Sequence, residues 1–174
     1  MNRYAVFLRG INVGGRIIKM ADLKACLEKA GLEDVKTLLQ SGNVVFTSGQ
    51  DSTAALKSTI ETALSETFDY PAKVQVLTMQ DLSKIVEKYP FGMAGDDQHD
   101  YVIFMENGLE KELAAESCSR APREQVAAGP GVVYWRVDKG STLKSDFAKL
   151  LAKSKYRQFN TNRNIRTLRK MLAL

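Results

Sequence analysis

Arg9-Gly10-Ile11-Asn12-Val13-Gly14-Gly15 is a run of residues suited to holding an anion. Arginine presents a planar fork that matches carboxylate and phosphate. The glycines leave backbone amides bare and let a ligand come close to the chain. A second run, Gln40-Ser41-Gly42-Asn43, adds amide and hydroxyl groups that donate and accept. Neither run contains a carboxylate or a histidine, so neither supplies an acid–base pair. Recognition is the chemistry these residues support, and catalytic residues cannot be named from them. A plainer reading exists for each run: Gly14 and Gly15 turn the chain, and Asn43 braces a turn.

The third polar run is Asn160-Thr161-Asn162-Arg163-Asn164, followed by Arg166 and Thr167. It reads as the start of the final helix, with Thr161, Asn162 or Asn164 as its cap. Arg163 would then sit where the helix dipole is positive. A cation is unfavourable there unless an anion or a carboxylate lies nearby. That mismatch makes Arg163 and Asn164 candidates for ligand binding.

These residues must be positioned by regular elements, which the apolar spacing supplies. Tyr4-Ala5-Val6-Phe7-Leu8 is a strand, and Leu23, Cys26, Leu27 and Ala30 mark one face of a helix. Two β-rich runs, Val35–Leu39 and Val44–Phe46, flank the Gln40–Asn43 turn as a hairpin. Leu56, Ile60, Leu64 and Phe68 mark a second helix capped by Asp51 or Ser52. Val74 and Val76 alternate with polar residues as in a half-buried strand. A further helix over 78–89 starts on a capping box of Thr78 and Asp81 and stops at Pro90.

The pattern then restarts. Tyr101-Val102-Ile103-Phe104-Met105 is similar to Tyr4–Leu8, and Gly131-Val132-Val133-Tyr134 is similar to Asn43–Phe46. A helix with Leu143, Phe147, Leu150 and Leu151, capped by Ser141, is expected next, then a short strand over 156–160. The final helix turns Ile165, Leu168 and Leu172 inward and Arg163, Arg166, Arg169 and Lys170 outward. The order βαββαβ, twice over, predicts an α+β fold: a tandem pair of ferredoxin-like subdomains with a C-terminal helix. The expected boundaries are 1–89 and 90–174.

Right-handed crossovers would make the first two strands of each unit parallel. The loop after strand one and the hairpin after strand two then share one end of the sheet. Arg9, Asn12, Gln40 and Asn43 should therefore form one rim, with Lys19 close in sequence. Stacking the units head to tail would bring Arg163 and Asn164 to a cleft between the subdomains.

The chain is long enough for two small domains, and 44% hydrophobic with 26% charged residues is an ordinary soluble composition. No stretch approaches the ~18 consecutive apolar residues of a spanning helix. Met1-Asn2-Arg3 leads straight into a strand without a secretory pattern. Cys26 and Cys118 have neither metal spacing nor a disulfide framework. A cytoplasmic setting is expected, with no membrane partner, no metal and no cofactor.

The net charge of +5 is uneven. Residues 144–174 hold nine Lys/Arg and one acid, whereas the rest holds sixteen basic and nineteen acidic residues. The basic segment is either a nucleic-acid surface or a solvated helical face. The glycine run has neither a Walker ending nor dinucleotide spacing. His99 is the only histidine, and a lone histidine at a strand entrance reads as structural. Cys26, on an apolar helix face, reads as core.

Together the three runs resemble the bacterial family known as domain of unknown function 1697. Leu8–Gly15 is similar to its first motif and Gln40–Phe46 to its second. Thr161–Thr167 resembles its C-terminal motif, except that Asn162 replaces a threonine and Ile165 a tryptophan. The resemblance implies a duplicated ferredoxin-like fold and no known activity. The functional expectation is a binding protein for a phosphate-bearing or other anionic small molecule in the inter-subdomain cleft. Its candidate contacts are Arg9, Asn12, Gly14, Gly15, Gln40, Ser41, Asn43, Arg163 and Asn164. Nucleic-acid binding through the basic segment and a small enzyme of unidentified reaction stand as alternatives. Sequence leaves the oligomeric state undetermined.

Overall fold

A computed structural model describes residues 1–12, 17–92, 95–106, 108–117 and 124–174. The expected contacts Gly14 and Gly15, and Cys118, lie outside the described residues. The chain divides into two compact units. One is Met1–Ser83 with Lys170–Leu174, and the other is Lys84–Arg169. The division therefore falls just before the 89/90 boundary expected from sequence, and the last five residues join the first unit.

The first unit runs β1 (Asn2–Leu8), α1 (Met20–Lys29), β2 (Glu33–Leu38), β3 (Asn43–Ser48), α2 (Thr53–Phe68) and β4 (Val74–Thr78). Its sheet has the order β2-β3-β1-β4, with every neighbouring pair antiparallel. β1 is an inner strand, and Tyr4 to Leu8 are all buried. Burial on both faces explains why this strand is an unbroken apolar run rather than an alternating one. Tyr4, Val6 and Leu8 pack with Val44, Phe46, Leu23, Leu27, Ile60 and Leu64 in one core. Ser52 caps α2 by accepting a hydrogen bond from the Ala55 amide at 3.2 Å. Truncating the fully buried Ile60 to alanine would cost about 2–5 kcal/mol.

α3 (Met79–Glu87) follows β4 directly. Thr78 Oγ1 accepts from the Asp81 amide at 3.0 Å, capping the helix as expected, and its hydroxyl donates to Asp81 Oδ2 at 2.8 Å.

The second unit repeats the order: β5 (Gln98–Met105), α4 (Glu110–Ser117), β6 (Glu124–Gly129), β7 (Val132–Asp138), α5 (Asp146–Leu151), α6 (Ser154–Arg157) and β8 (Asn160–Asn164). The sheet order is β6-β7-β5-β8, again antiparallel throughout. Ile103, Met105, Val133, Trp135, Leu113, Phe147 and Tyr156 build the core. Glu124 ties it together. One carboxylate oxygen accepts from the Trp135 indole at 2.9 Å and the other from the Asp146 amide at 3.1 Å. The second contact places an acid at the start of α5, where the dipole favours it. α7 (Ile165–Leu172) closes the chain with Ile165, Leu168 and Met171 buried. Among the described residues no helix is long and apolar enough to cross a membrane.

Three local expectations are corrected. α5 is capped by Ser145, whose Oγ accepts from the Ala148 amide at 3.1 Å, and not by Ser141. The Ser141 carbonyl instead accepts from the Lys144 and Ser145 amides in a turn ahead of the helix. Leu143 consequently lies outside the helix and is exposed. Tyr156 belongs to α6 rather than to a strand, and its hydroxyl donates to Glu116 at 2.7 Å. The strand begins at Asn160, so Asn160–Asn164 is an edge strand and not a helix start. Its all-polar sequence carries no alternation. Pairing with β5 decides its conformation over intrinsic propensity. Asn164 still caps α7, with Oδ1 accepting from the Arg166 amide at 2.9 Å.

Candidate ligand-binding rim

Backbone bonds at the end of β1 set the position of Arg9. Phe7 pairs with Asn43 in the β1–β3 register. The Leu8 amide donates to the Gly42 carbonyl at 2.8 Å, and the Arg9 amide to the Lys73 carbonyl at 3.0 Å. Arg9 therefore stands between the β2–β3 hairpin and the entry to β4. It is half-buried, whereas Gln40 and Ser41 are exposed. Lys73, remote in sequence, meets Arg9 through its backbone carbonyl, while its ammonium lies 3.5 Å from Glu61. Nothing local in the sequence signals it. Only the β1–β4 pairing does.

The hairpin is shaped by Gly42 and Asn43. Gly42 has φ +72°, and a Cβ there would lie 2.7 Å from both Leu8 Cβ and Ile11 Cδ1. Glycine is thus required both by conformation and by space. Asn43 is fully buried, and its Nδ2 donates to the Leu38 carbonyl at 3.0 Å and to Ser41 Oγ at 2.8 Å. Asn12 joins the two loops. Its Oδ1 accepts from the Ile18 amide at 2.9 Å, and its Nδ2 donates to the Gln40 carbonyl. Both asparagines brace the rim, while Arg9, Gln40 and Ser41 form its accessible part.

Arg163 and Asn164 lie in β8 of the second unit, opposite Val102 and Tyr101. Arg163 donates to the Asn162 carbonyl at 2.8 Å. Burial pushes its guanidinium down to about 10, which leaves it charged at neutral pH. Arg163 thus lies in a strand, one residue before the Asn164 cap of α7, and stands just outside the helix rather than in its first turn.

A polar cluster in the second unit escaped the sequence reading. Arg136 makes a bidentate pair with Asp100, Nε to Oδ1 at 2.7 Å and Nη2 to Oδ2 at 2.9 Å. The same guanidinium donates to the Phe91 carbonyl at 2.7 Å and the Gly92 carbonyl at 3.1 Å. Burial alone would raise the Asp100 carboxyl. The Arg136 hydrogen bonds and charge, with the Tyr89 hydroxyl, outweigh it and hold the carboxyl below its ordinary value. Burial first, and then Asp100, push the Tyr89 hydroxyl up. An arginine inside the otherwise apolar run Val132–Val137 was the available sign.

The basic segment is partly neutralised within its own unit. Lys149 pairs with Asp146 at 3.2 Å, Lys153 with Glu116 at 2.6 Å, and Lys155 with Glu112. Cys26 is buried, with Sγ 3.3 Å from Thr67 Oγ1. The His99 ring lies 5.8 Å from that of Tyr101. Among the described residues no group of three His, Cys, Asp or Glu side chains is placed to hold a metal.

A family model described as "Protein of unknown function (DUF1697)" matches residues 1–134. The chain belongs to this family. The match includes both rim motifs, and the C-terminal motif lies beyond it. Among solved structures, the DUF1697 chain is similar to the conserved bacterial protein SP0830 from Streptococcus pneumoniae. The two share 29% identity and a TM-score of 0.82, over 99% of this chain and 97% of the other. An unknown protein from Galdieria sulphuraria is 11% identical over 94% and 96% of the chains, with a TM-score of only 0.28. Comparison with curated proteins gives no match.

Proposed function

We propose that the protein is a cytoplasmic binding protein for a phosphate-bearing or other anionic small molecule, held at the rim of the first unit. Arg9 supplies the charge and the fork, with Gln40 and Ser41 beside it. Asn12 and Asn43 keep the hairpin in place. In the same reading each unit is a ferredoxin-like βαββαβ module. The repeated element order and the two matching strand orders support this.

The bridge made by Asn12 carries the functional reading. One side chain satisfies the Ile18 amide and the Gln40 carbonyl of the hairpin, pre-ordering the hairpin beside Arg9. Pre-ordering of this kind lowers the entropic cost of binding. Residues 9–19 and 37–43 contain no carboxylate and no histidine, which favours binding over acid–base catalysis. The pairing of Lys149, Lys153 and Lys155 with acids weighs against the nucleic-acid alternative.

A thermal-shift screen of the full chain against a panel of phosphate-bearing metabolites tests the proposal. Saturable stabilisation by one compound class, lost in Arg9→Ala, is expected. Stabilisation that survives Arg9→Ala, or none with any anion, would overturn it.

A further inference from the structure

Among the described residues four large apolar side chains are exposed: Met1, Ile17, Leu39 and Leu143. Single exposed apolar residues are ordinary on any surface. Two of these, however, belong to the rim. Ile17 is 81% exposed and Leu39 is 54% exposed. Asn12 clamps the residue after each of them, binding the Ile18 amide and the Gln40 carbonyl.

Leu39 is also conformationally unusual. The non-glycine residues at positive φ among the described residues are Asn12, Asp34, Asp69 and Leu39, the last at +59°. Asparagine and aspartate tolerate this region because their short polar side chains bond locally. Leucine has no such compensation, and glycine would make the same turn without steric cost. The turn therefore holds an aliphatic side chain in water at a conformational penalty. Strain of this sort is a mark of sites where the side chain has a use outside the fold.

We propose that Ile17 and Leu39 form an apolar lip on the rim, so that the ligand is an organic anion with an acyl or aryl body. Its charged group meets Arg9, and its apolar body lies against Ile17 and Leu39. This rests on the rim being an anion site, and it narrows that reading from anions in general to amphipathic ones. Covering two exposed aliphatic side chains supplies the selectivity for the organic anion over a bare one.

Phenyl phosphate and inorganic phosphate, at matched millimolar concentrations, are the probes, titrated calorimetrically into the full chain. Phenyl phosphate should bind about tenfold more tightly than phosphate. The ratio should fall towards one in Leu39→Gly with Ile17→Ser, while phosphate affinity is retained. Leu39→Gly alone should raise the melting temperature of the free protein by roughly 2–4 °C, a gain that separates loss of selectivity from loss of fold. Equal binding of both probes by the unaltered chain overturns the lip and leaves the rim standing. Binding of neither overturns the lip and the rim together. Self-association of the unaltered chain in sedimentation, abolished by the same two substitutions, would make Ile17 and Leu39 a contact between copies and overturn the lip.

Discussion

Asp100→Ala should be among the most damaging single substitutions in the second unit. The carboxylate and the Arg136 side chain are 6% and 8% exposed, and they are joined by two short hydrogen bonds. Removing the acid leaves a buried guanidinium that keeps its bonds to the Phe91 and Gly92 carbonyls but has lost its counter-charge. Breaking a buried pair in this way costs about 3–5 kcal/mol. The pair itself contributes far less than that, because both charges were taken out of water to form it. Replacing both partners, as in Asp100→Leu with Arg136→Met, should therefore restore much of the loss. Trp135 is the only tryptophan and is buried next to Arg136 in β7, so its fluorescence in urea reports this unit. A pH series adds a second readout. The carboxyl of Asp100 is held below its ordinary value in the folded chain. Its contribution is thus fully present above the unfolded carboxylate range of roughly 4 and is lost as pH falls through the folded value. Asp100→Asn should flatten this acid limb. A loss below about 1 kcal/mol for Asp100→Ala, or an unchanged acid limb in Asp100→Asn, would refute the reasoning.

Arg9→Ala should weaken binding of an anion identified by thermal shift by ~1.5–3 kcal/mol, as for a charged hydrogen bond, and change unfolding by under about 1 kcal/mol; calorimetry and urea titration measure the two. Gly42→Ala should destabilise the first unit by about 2–4 kcal/mol, since the new methyl meets Leu8 and Ile11 in a backbone that is already left-handed. Ligand affinity in the remaining folded protein should fall as well, because the hairpin carries Gln40 and Ser41.

The sequence made the strand–helix–hairpin order legible because apolar spacing reports burial directly. β1 and β5 were visible as unbroken apolar runs, and α1 and α2 through their Leu and Ile spacing. β8 was not visible. Asn160–Asn164 has no apolar residue, and its strand conformation comes from pairing with β5, a contact made at long range. The rim was legible only as far as topology carried it. Strand order placed Arg9 and Asn43 at one sheet end. Which asparagine atoms would be spent on Leu38, Ser41, Ile18 and Gln40 could not be read from residue types. The Asp100–Arg136 pair was hidden for the same reason, since its members meet across strands.

Repetition separates scaffold from site. The Leu8 amide bonds the Gly42 carbonyl at 2.8 Å, and the Met105 amide bonds the Gly131 carbonyl at 3.0 Å. The Arg9 amide bonds the Lys73 carbonyl at 3.0 Å, and the Glu106 amide bonds the Phe159 carbonyl at 3.1 Å. Both units thus end their central strand with the same pair of bonds, one to the hairpin glycine and one to the entry of the last strand. These bonds belong to the fold, because they recur where the side chains do not. At the equivalent position the first unit carries an arginine and the second a glutamate. An anion held beside Glu106 would meet like charge, whereas beside Arg9 it meets a fork of donors. The shared backbone geometry offers two rims, and the charge at its end favours an anion at only one of them.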